Sequence, residues 1–216
     1  MLHKIPTITL LVLGVSLPLL AGCAGFPMNT AEPLFQKKYG DFDYCKLKAV
    51  KQARETSCGS ACLASVMNYW GVRISEEDLL AKLPELGEHG LSIKDLKLIA
   101  IACGLDAYAF SMSDDPEGQL RAQILSGRPV ICATRFPRGW YFAYGVPLYG
   151  SIYRSLVWAF GSRKSHYIVV FGIKDDEFLI MDPVRGFATL SRTRLLDAWH
   201  QQKYAALLCG RKKSPP

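Results

Sequence analysis

A change in hydrophobic rhythm constrains this chain most. From Ser57 to Gly127 its apolar residues recur mostly at helical spacing. From Pro129 to Leu208 they come mainly as short, β-branched or alternating runs. Helices first and strands afterwards predict an α+β fold, not a repeating βαβ one, with the N-terminal helices packed on an antiparallel sheet. At 216 residues, half of them apolar, the chain has ample material for one core and no case for global disorder.

Local signals set the boundaries. The stretch Arg54–Gly71, RETSCGSACLASVMNYWG, passes from a polar lead through Cys-Gly into an apolar helix. That helix is predicted to start at Ser57 or Cys58, run toward Trp70 and stop at Gly71. Ser75 and Ser92 each open a further helix. Asp78 and Asp95 follow them by three residues, and Ile74 with Leu79 and Leu91 with Leu96 occupy the staple positions. The first of these ends near Lys82-Leu83-Pro84, the second at Gly104. A strand covers 105–110, and Pro116 opens a helix to about Ser126 with Gly127 as its stop. Strands follow at 129–136, 166–173 and 177–181, the last two joined by a turn at Lys174-Asp175-Asp176, and another at 187–190. Arg192 to about Gln202 reads as helix, and 203–208 as either its end or a last strand. The connection 137–165 stands apart. It holds Trp140, Tyr141, Phe142, Tyr144, Tyr149, Tyr153, Trp158 and Phe160 between glycines. It is an extra hairpin or helix packed on the domain, a substrate flap, or a surface for a membrane or partner.

The N-terminus reads as a targeting segment. Met1–Lys4 are basic, Ile5–Leu20 are apolar but broken by Pro6 and Pro18, and Leu20-Ala21-Gly22-Cys23 closes the run. The apolar stretch is short for a membrane span. Its ending resembles a bacterial lipobox, which implies a signal peptide over 1–22, lipid on Cys23 and a tether over 23–49 before a compact domain at 50–210 with a tail at 211–216. With alanine after the cysteine, the resemblance implies the periplasmic face of an outer membrane. The net charge of +7 is scattered, and no zinc-finger, RNA-recognition or basic-zipper pattern is present, so nucleic acid is excluded as the expected partner.

Of the seven cysteines, Cys23 is the lipid candidate and Cys45, Cys58, Cys62, Cys103, Cys132 and Cys209 remain. Their spacing suits no metal site, and no metal or cofactor is expected. Cys103 and Cys132 read as core residues. Cys45 and Cys209 are core residues or one bridge. Cys62, a turn after Cys58, reads as buried and reduced, because four residues on a rigid helix is poor disulfide geometry. Cys58 differs in standing where a helix begins. A helix N-terminus favours the thiolate, the form that attacks carbonyls, and a neighbouring imidazole favours it more. Gly59 behind it would let a substrate backbone approach.

Of the four histidines, His3 belongs to the targeting segment, His89 to a loop and His200 to a solvated helix end. His166 opens the apolar run Tyr167-Ile168-Val169-Val170, at a strand edge from which it could reach a cleft. Asp182 closes Leu179-Ile180-Met181 and precedes Pro183, where a carboxylate could orient an imidazole on the neighbouring strand. Gln52, six residues before Cys58, could donate an amide hydrogen to an oxyanion. Each taken alone is an ordinary residue of its type: a core cysteine, a surface histidine, a turn aspartate, a loop glutamine.

Together they resemble the C39 family of bacterial cysteine peptidases, which have a papain-like fold. The matching run is Gln52-Ala53-Arg54-Glu55-Thr56-Ser57-Cys58-Gly59-Ser60-Ala61-Cys62-Leu63 and the helix to Tyr69-Trp70-Gly71. It continues in Gly90-Leu91-Ser92, Cys103-Gly104-Leu105, Gly127-Arg128-Pro129-Val130-Ile131, His166-Tyr167-Ile168-Val169-Val170 and Asp182-Pro183, covering about 50–208. The resemblance implies Cys58 as nucleophile, His166 as general base, Asp182 as orienting acid and Gln52 as oxyanion donor. It also implies a protein or peptide substrate cut after Gly-Gly, and secretion or surface-fibre machinery as partner. Best-known members are fused to a transporter, for which this chain has no room. A catalytically silent module binding a leader or export substrate, and a papain-like amidase, are the competing readings.

Overall fold

The computed structural model describes residues 29–81, 90–140 and 149–212. The targeting segment, Cys23, the expected helix end at Lys82–Pro84, His89, Tyr141, Phe142, Tyr144 and residues 213–216 lie outside them. The described elements, in chain order, are α1 (Pro33–Tyr39), β1 (Asp43–Tyr44), α2 (Cys58–Tyr69), α3 (Glu76–Ala81), α4 (Ile93–Ala102), β2 (Leu105–Ser111), α5 (Pro116–Leu125), β3 (Val130–Pro137), α6 (Tyr149–Phe160), β4 (Arg163–Lys174), β5 (Glu177–Asp182), β6 (Gly186–Ser191), α7 (Arg192–His200) and β7 (Ala205–Arg211).

The fold is mixed α+β, as the order of periodicities predicts. One antiparallel sheet runs β2-β7-β3-β4-β5-β6, with β1 added against β4. Its central strands are apolar on both faces, so both faces need cover there. Val169, Phe171, Leu179 and Met181 face a core built with α1, α2 and α4. Ile168, Val170, Phe178 and Ile180 face a second core built with α5 and α7. Each fully buried leucine or isoleucine in these layers is worth roughly 1.5–3 kcal/mol. The second helical layer, led by the fully buried Trp199, completes the sandwich. Residues 205–211 resolve as a strand, β7, which pairs with both β2 and β3.

α2 is the central helix. From Gly59 to Met67 every residue is buried, which its small side chains permit. Buried hydroxyls cost energy unless bonded. Ser60 Oγ donates to the Ser57 carbonyl at 2.8 Å and Ser65 Oγ to the Lys48 carbonyl at 2.5 Å. The helix ends as predicted, with Gly71 at φ +91°. At α4 the capping box forms both ways. Asp95 N–H donates to Ser92 Oγ at 3.3 Å, and Ser92 N–H to Asp95 Oδ2 at 2.9 Å. Residues 33–49, read from sequence as lead-in, carry α1 and β1 and put Phe35, Tyr39, Cys45 and Leu47 into the first core. β1 crosses β4 at Gly172, where a Cβ would stand 2.8 Å from Tyr44 Cβ and 2.9 Å from Leu179 Cβ.

The described part of the aromatic connection is a helix packed on the domain. Trp158 of α6 meets Trp140 and Phe136, with ring centroids 4.9 and 5.8 Å apart, and its indole N–H donates to Asp197 Oδ2 at 2.8 Å. Arg163 shares that carboxylate at 2.7 Å.

Candidate active site

Three elements converge on one point. α2 begins at Cys58, so the thiol lies in the first turn, where the helix N–H groups have no partners within the helix and the dipole favours an anion. β4 passes beneath α2 and carries His166 near its start. Thr134 of β3 donates its hydroxyl to the His166 carbonyl at 2.9 Å, fixing the backbone there. β5 ends at Asp182, beside β4 in the sheet.

The structure brings Cys58, His166 and Asp182 into one chain of contacts. His166 Nε2 is 3.1 Å from Asp182 Oδ1, and that oxygen also accepts the Val184 N–H at 2.8 Å. With Nε2 given to the carboxylate, the ring's other nitrogen serves the thiol, and Cys58 and His166 hydrogen-bond. The Phe136 ring meets the imidazole edge-on at 5.9 Å and limits its tilt.

Electrostatics follow from this packing. Burial pushes the Cys58 thiol up. The hydrogen bond and charge of His166, with the backbone N–H groups of Tyr167 and Gly59, outweigh it and hold the thiol below its ordinary value. Burial alone would depress His166. The Asp182 carboxylate, by charge and hydrogen bond, and then Cys58 raise it. Both directions favour one state, thiolate beside imidazolium. Cys62 is fully buried, makes no disulfide, and is pushed well up by burial and by the neighbouring Cys58. Cys45, Cys132 and Cys209 are likewise buried free thiols, so Cys45 and Cys209 form no bridge.

A cleft of about 510 Å³ opens beside the histidine. Gln52, Glu55, Arg138, Gly139, Lys164 and His166 are among its walls, and Glu55 and Lys164 form an ion pair. Gln52 therefore shares the site with His166, but its amide is turned away from the role expected of it. Nε2 donates to the carbonyls of Arg54 at 2.8 Å and Glu55 at 3.3 Å, while Oε1 is buried with no partner among the described residues. Gly59 is also placed otherwise than expected. A Cβ there would stand 3.2 Å from Tyr167 and 3.3 Å from Leu96, so this glycine lets α2 approach β4 and α4, and does not open a path for substrate. His200 is exposed beside Tyr204 at the end of α7, as expected.

Sequence reasoning overlooked Glu76, the first residue of α3. Its position in the first turn reads as a solvated acidic residue, yet it is 5% exposed and accepts the Ala53 N–H at 2.7 Å. Only the fold brings it beside the Gln52 loop.

A cysteine–histidine–aspartate chain at a helix N-terminus, on a sheet with helices packed across it, is the arrangement of a papain-like cysteine peptidase. Comparison places it further. The Peptidase C39 family model matches residues 46–132 and 153–214, and the chain belongs to that family. It is similar in fold to a double-glycine motif protease from an AMS/PCAT transporter, solved with its leader peptide, at 16% identity over 78% of this chain and 94% of that one, TM-score 0.54. It is also similar to the peptidase domain of Streptococcus ComA, a bi-functional ABC transporter, at 18% identity over 76% and 98%, TM-score 0.51. A C39-like protein from Bacillus anthracis is 13% identical over 77% and 95%, TM-score 0.55. No curated protein matches the chain.

These similarities overturn the expected location. The outer-membrane, periplasmic reading rested on Leu20-Ala21-Gly22-Cys23, which the described residues do not include. The similar domains named with a setting are parts of transporters, not outer-membrane lipoproteins. No helix among the described residues is long and apolar enough to cross a membrane.

Proposed function

We propose that the chain cleaves a peptide bond in a secreted protein or leader peptide, after a Gly-Gly pair, by thiolate acyl transfer. The carrying observation is the Cys58 thiol at the first turn of α2, bonded to an imidazole whose other nitrogen is held by buried Asp182. The Cys58 thiolate attacks the scissile carbonyl. Its oxyanion takes the Cys58 backbone N–H and a Gln52 amide hydrogen, released when Nε2 gives up its longer bond to Glu55. His166 protonates the leaving amine, then takes a proton from the water that frees the acyl group. Asp182 keeps the ring oriented throughout.

The Gly-Gly preference and a secretion partner rest on the family and on the double-glycine protease and ComA. Incubating the protein with Gly-Gly peptides beside Cys58→Ala tests the reading. Cleavage that the variant loses is expected; tight binding without cleavage by either form would favour a silent binding module. Lipid on Cys23 is a separate proposal, tested by comparing radiolabelled palmitate incorporation with Cys23→Ser.

A further inference from the structure

We infer that Glu76 is a positioning residue of the oxyanion hole: its buried carboxylate fixes the backbone on which Gln52 is mounted. The inference rests on the peptidase reading above. Two hydrogen bonds flank Gln52. Its own N–H donates to the Pro183 carbonyl at 3.0 Å, tying it to the turn that follows Asp182. The next N–H, of Ala53, donates to Glu76 Oε2 at 2.7 Å. One anchor thus registers Gln52 against the orienting acid, the other against α3.

The chemistry of Glu76 argues for alignment over stability. Glu76 is 5% exposed and has no ion-pair partner among the described residues. Its other oxygen is 3.4 Å from Ser60 Oγ, whose proton goes to the Ser57 carbonyl at the shorter 2.8 Å. The Ala53 N–H is therefore its one short bond among the described residues. Burying a charge for one short backbone bond and one long hydroxyl contact is a poor source of stability. It is a stiff way to hold a loop, because charge-assisted bonds are short and strong. The stiffness matters at Gln52, whose side chain must exchange a carbonyl for the oxyanion without its backbone drifting. A misplacement of about 1 Å in a catalytic group can cost ~10²-fold, so a smaller drift of the donor is already felt.

The test separates the oxyanion hole from the thiolate. Wild type, Glu76→Ala, Glu76→Gln, Glu76→Asp, Gln52→Ala and the Gln52→Ala/Glu76→Ala double variant are compared as full chains. Iodoacetamide alkylation of Cys58 displaces iodide and needs no oxyanion hole. A peptide aldehyde ending in Gly-Gly adds the thiolate to its carbonyl and needs one. Glu76→Ala is expected to weaken aldehyde binding and lower kcat about tenfold, below the ~10²–10³ of losing a donor outright. KM and the alkylation rate should stay within about twofold of wild type. Glu76→Gln, which keeps an acceptor oxygen, should restore both. In the double variant the Glu76 change should add nothing to Gln52→Ala. If Glu76→Ala does not fold, Glu76→Asp supplies the reading: it keeps the charge, draws Ala53 back, and should weaken aldehyde binding several-fold with alkylation unchanged.

Equal losses in alkylation and aldehyde binding, additivity with Gln52→Ala, or wild-type behaviour of the Glu76 variants would overturn the inference alone. A wild type whose Cys58 alkylates but neither binds aldehyde nor cleaves peptide would overturn the peptidase reading, and the inference with it.

Discussion

Replacing Asp182 by asparagine should narrow the pH range of activity from both sides. The amide keeps an oxygen for the Val184 N–H and for His166 Nε2, so the local geometry survives. What goes is the charge. Two unit charges ~4 Å apart interact by ~4 kcal/mol at an effective dielectric near 20, and a pKa unit is 1.36 kcal/mol, so the ring's basicity should fall by up to about three units. The directions at the two limbs follow from the ion pair. Activity needs the thiolate, whose pKa is depressed, so it is lost as pH falls through that value. It also needs the imidazolium, whose pKa is raised, so it is lost as pH climbs through that one. Without the carboxylate the histidine pKa drops; the thiolate then loses its counter-ion and its own pKa rises. The limbs converge, and at neutral pH kcat/KM should fall ~10²–10⁴-fold. Peptide cleavage against pH gives both limbs, and iodoacetamide alkylation against pH gives the acid limb independently. Unmoved limbs with kcat/KM within about threefold of wild type would refute the ion-pair account.

Other substitutions probe the scaffold. Gly172→Ala should destabilise the fold by about 2 kcal/mol, read from denaturant unfolding, because its Cβ would meet the Cβ atoms of Tyr44 and Leu179 inside contact distance. Trp158→Ala should cost about 2–3 kcal/mol and slow turnover, since it removes the ring that backs Phe136 against His166; melting and steady-state rates would show each. In native protein, limited iodoacetamide followed by peptide mass mapping should mark Cys58 and spare Cys62, whose thiol is buried and pushed up. Cys62→Ala should leave turnover unchanged.

Much of this was legible in the chain because local chemistry dictated it. Ser92 and Asp95 specify a helix start whatever surrounds them, and Gly71, Gly104 and Gly127 mark stops by taking positive φ. Cys58, His166 and Asp182 are readable as candidates because each stands at or near an element's end. Three features carry no such sign in the sequence. Glu76 gives no local sign that Ala53 will meet it. Gln52's amide orientation is set by two carbonyls of its own loop. Gly59 next to Cys58 invites a substrate role until Tyr167 and Leu96 occupy the space. Residues 33–49 misled because seven residues of helix and two of strand carry too short a period to detect, although their side chains finish the first core.

The order in which the chain is made gives the Cys58–His166–Asp182 contact a timing. The helix that carries Cys58 is synthesised before the strands that carry His166 and Asp182, which pair within the assembled sheet. A chain made only that far lacks the imidazole whose hydrogen bond and charge lower the Cys58 thiol. On the proposed mechanism cleavage requires β4 and β5 to be paired in register, so loss of cleavage would read out a slip between them.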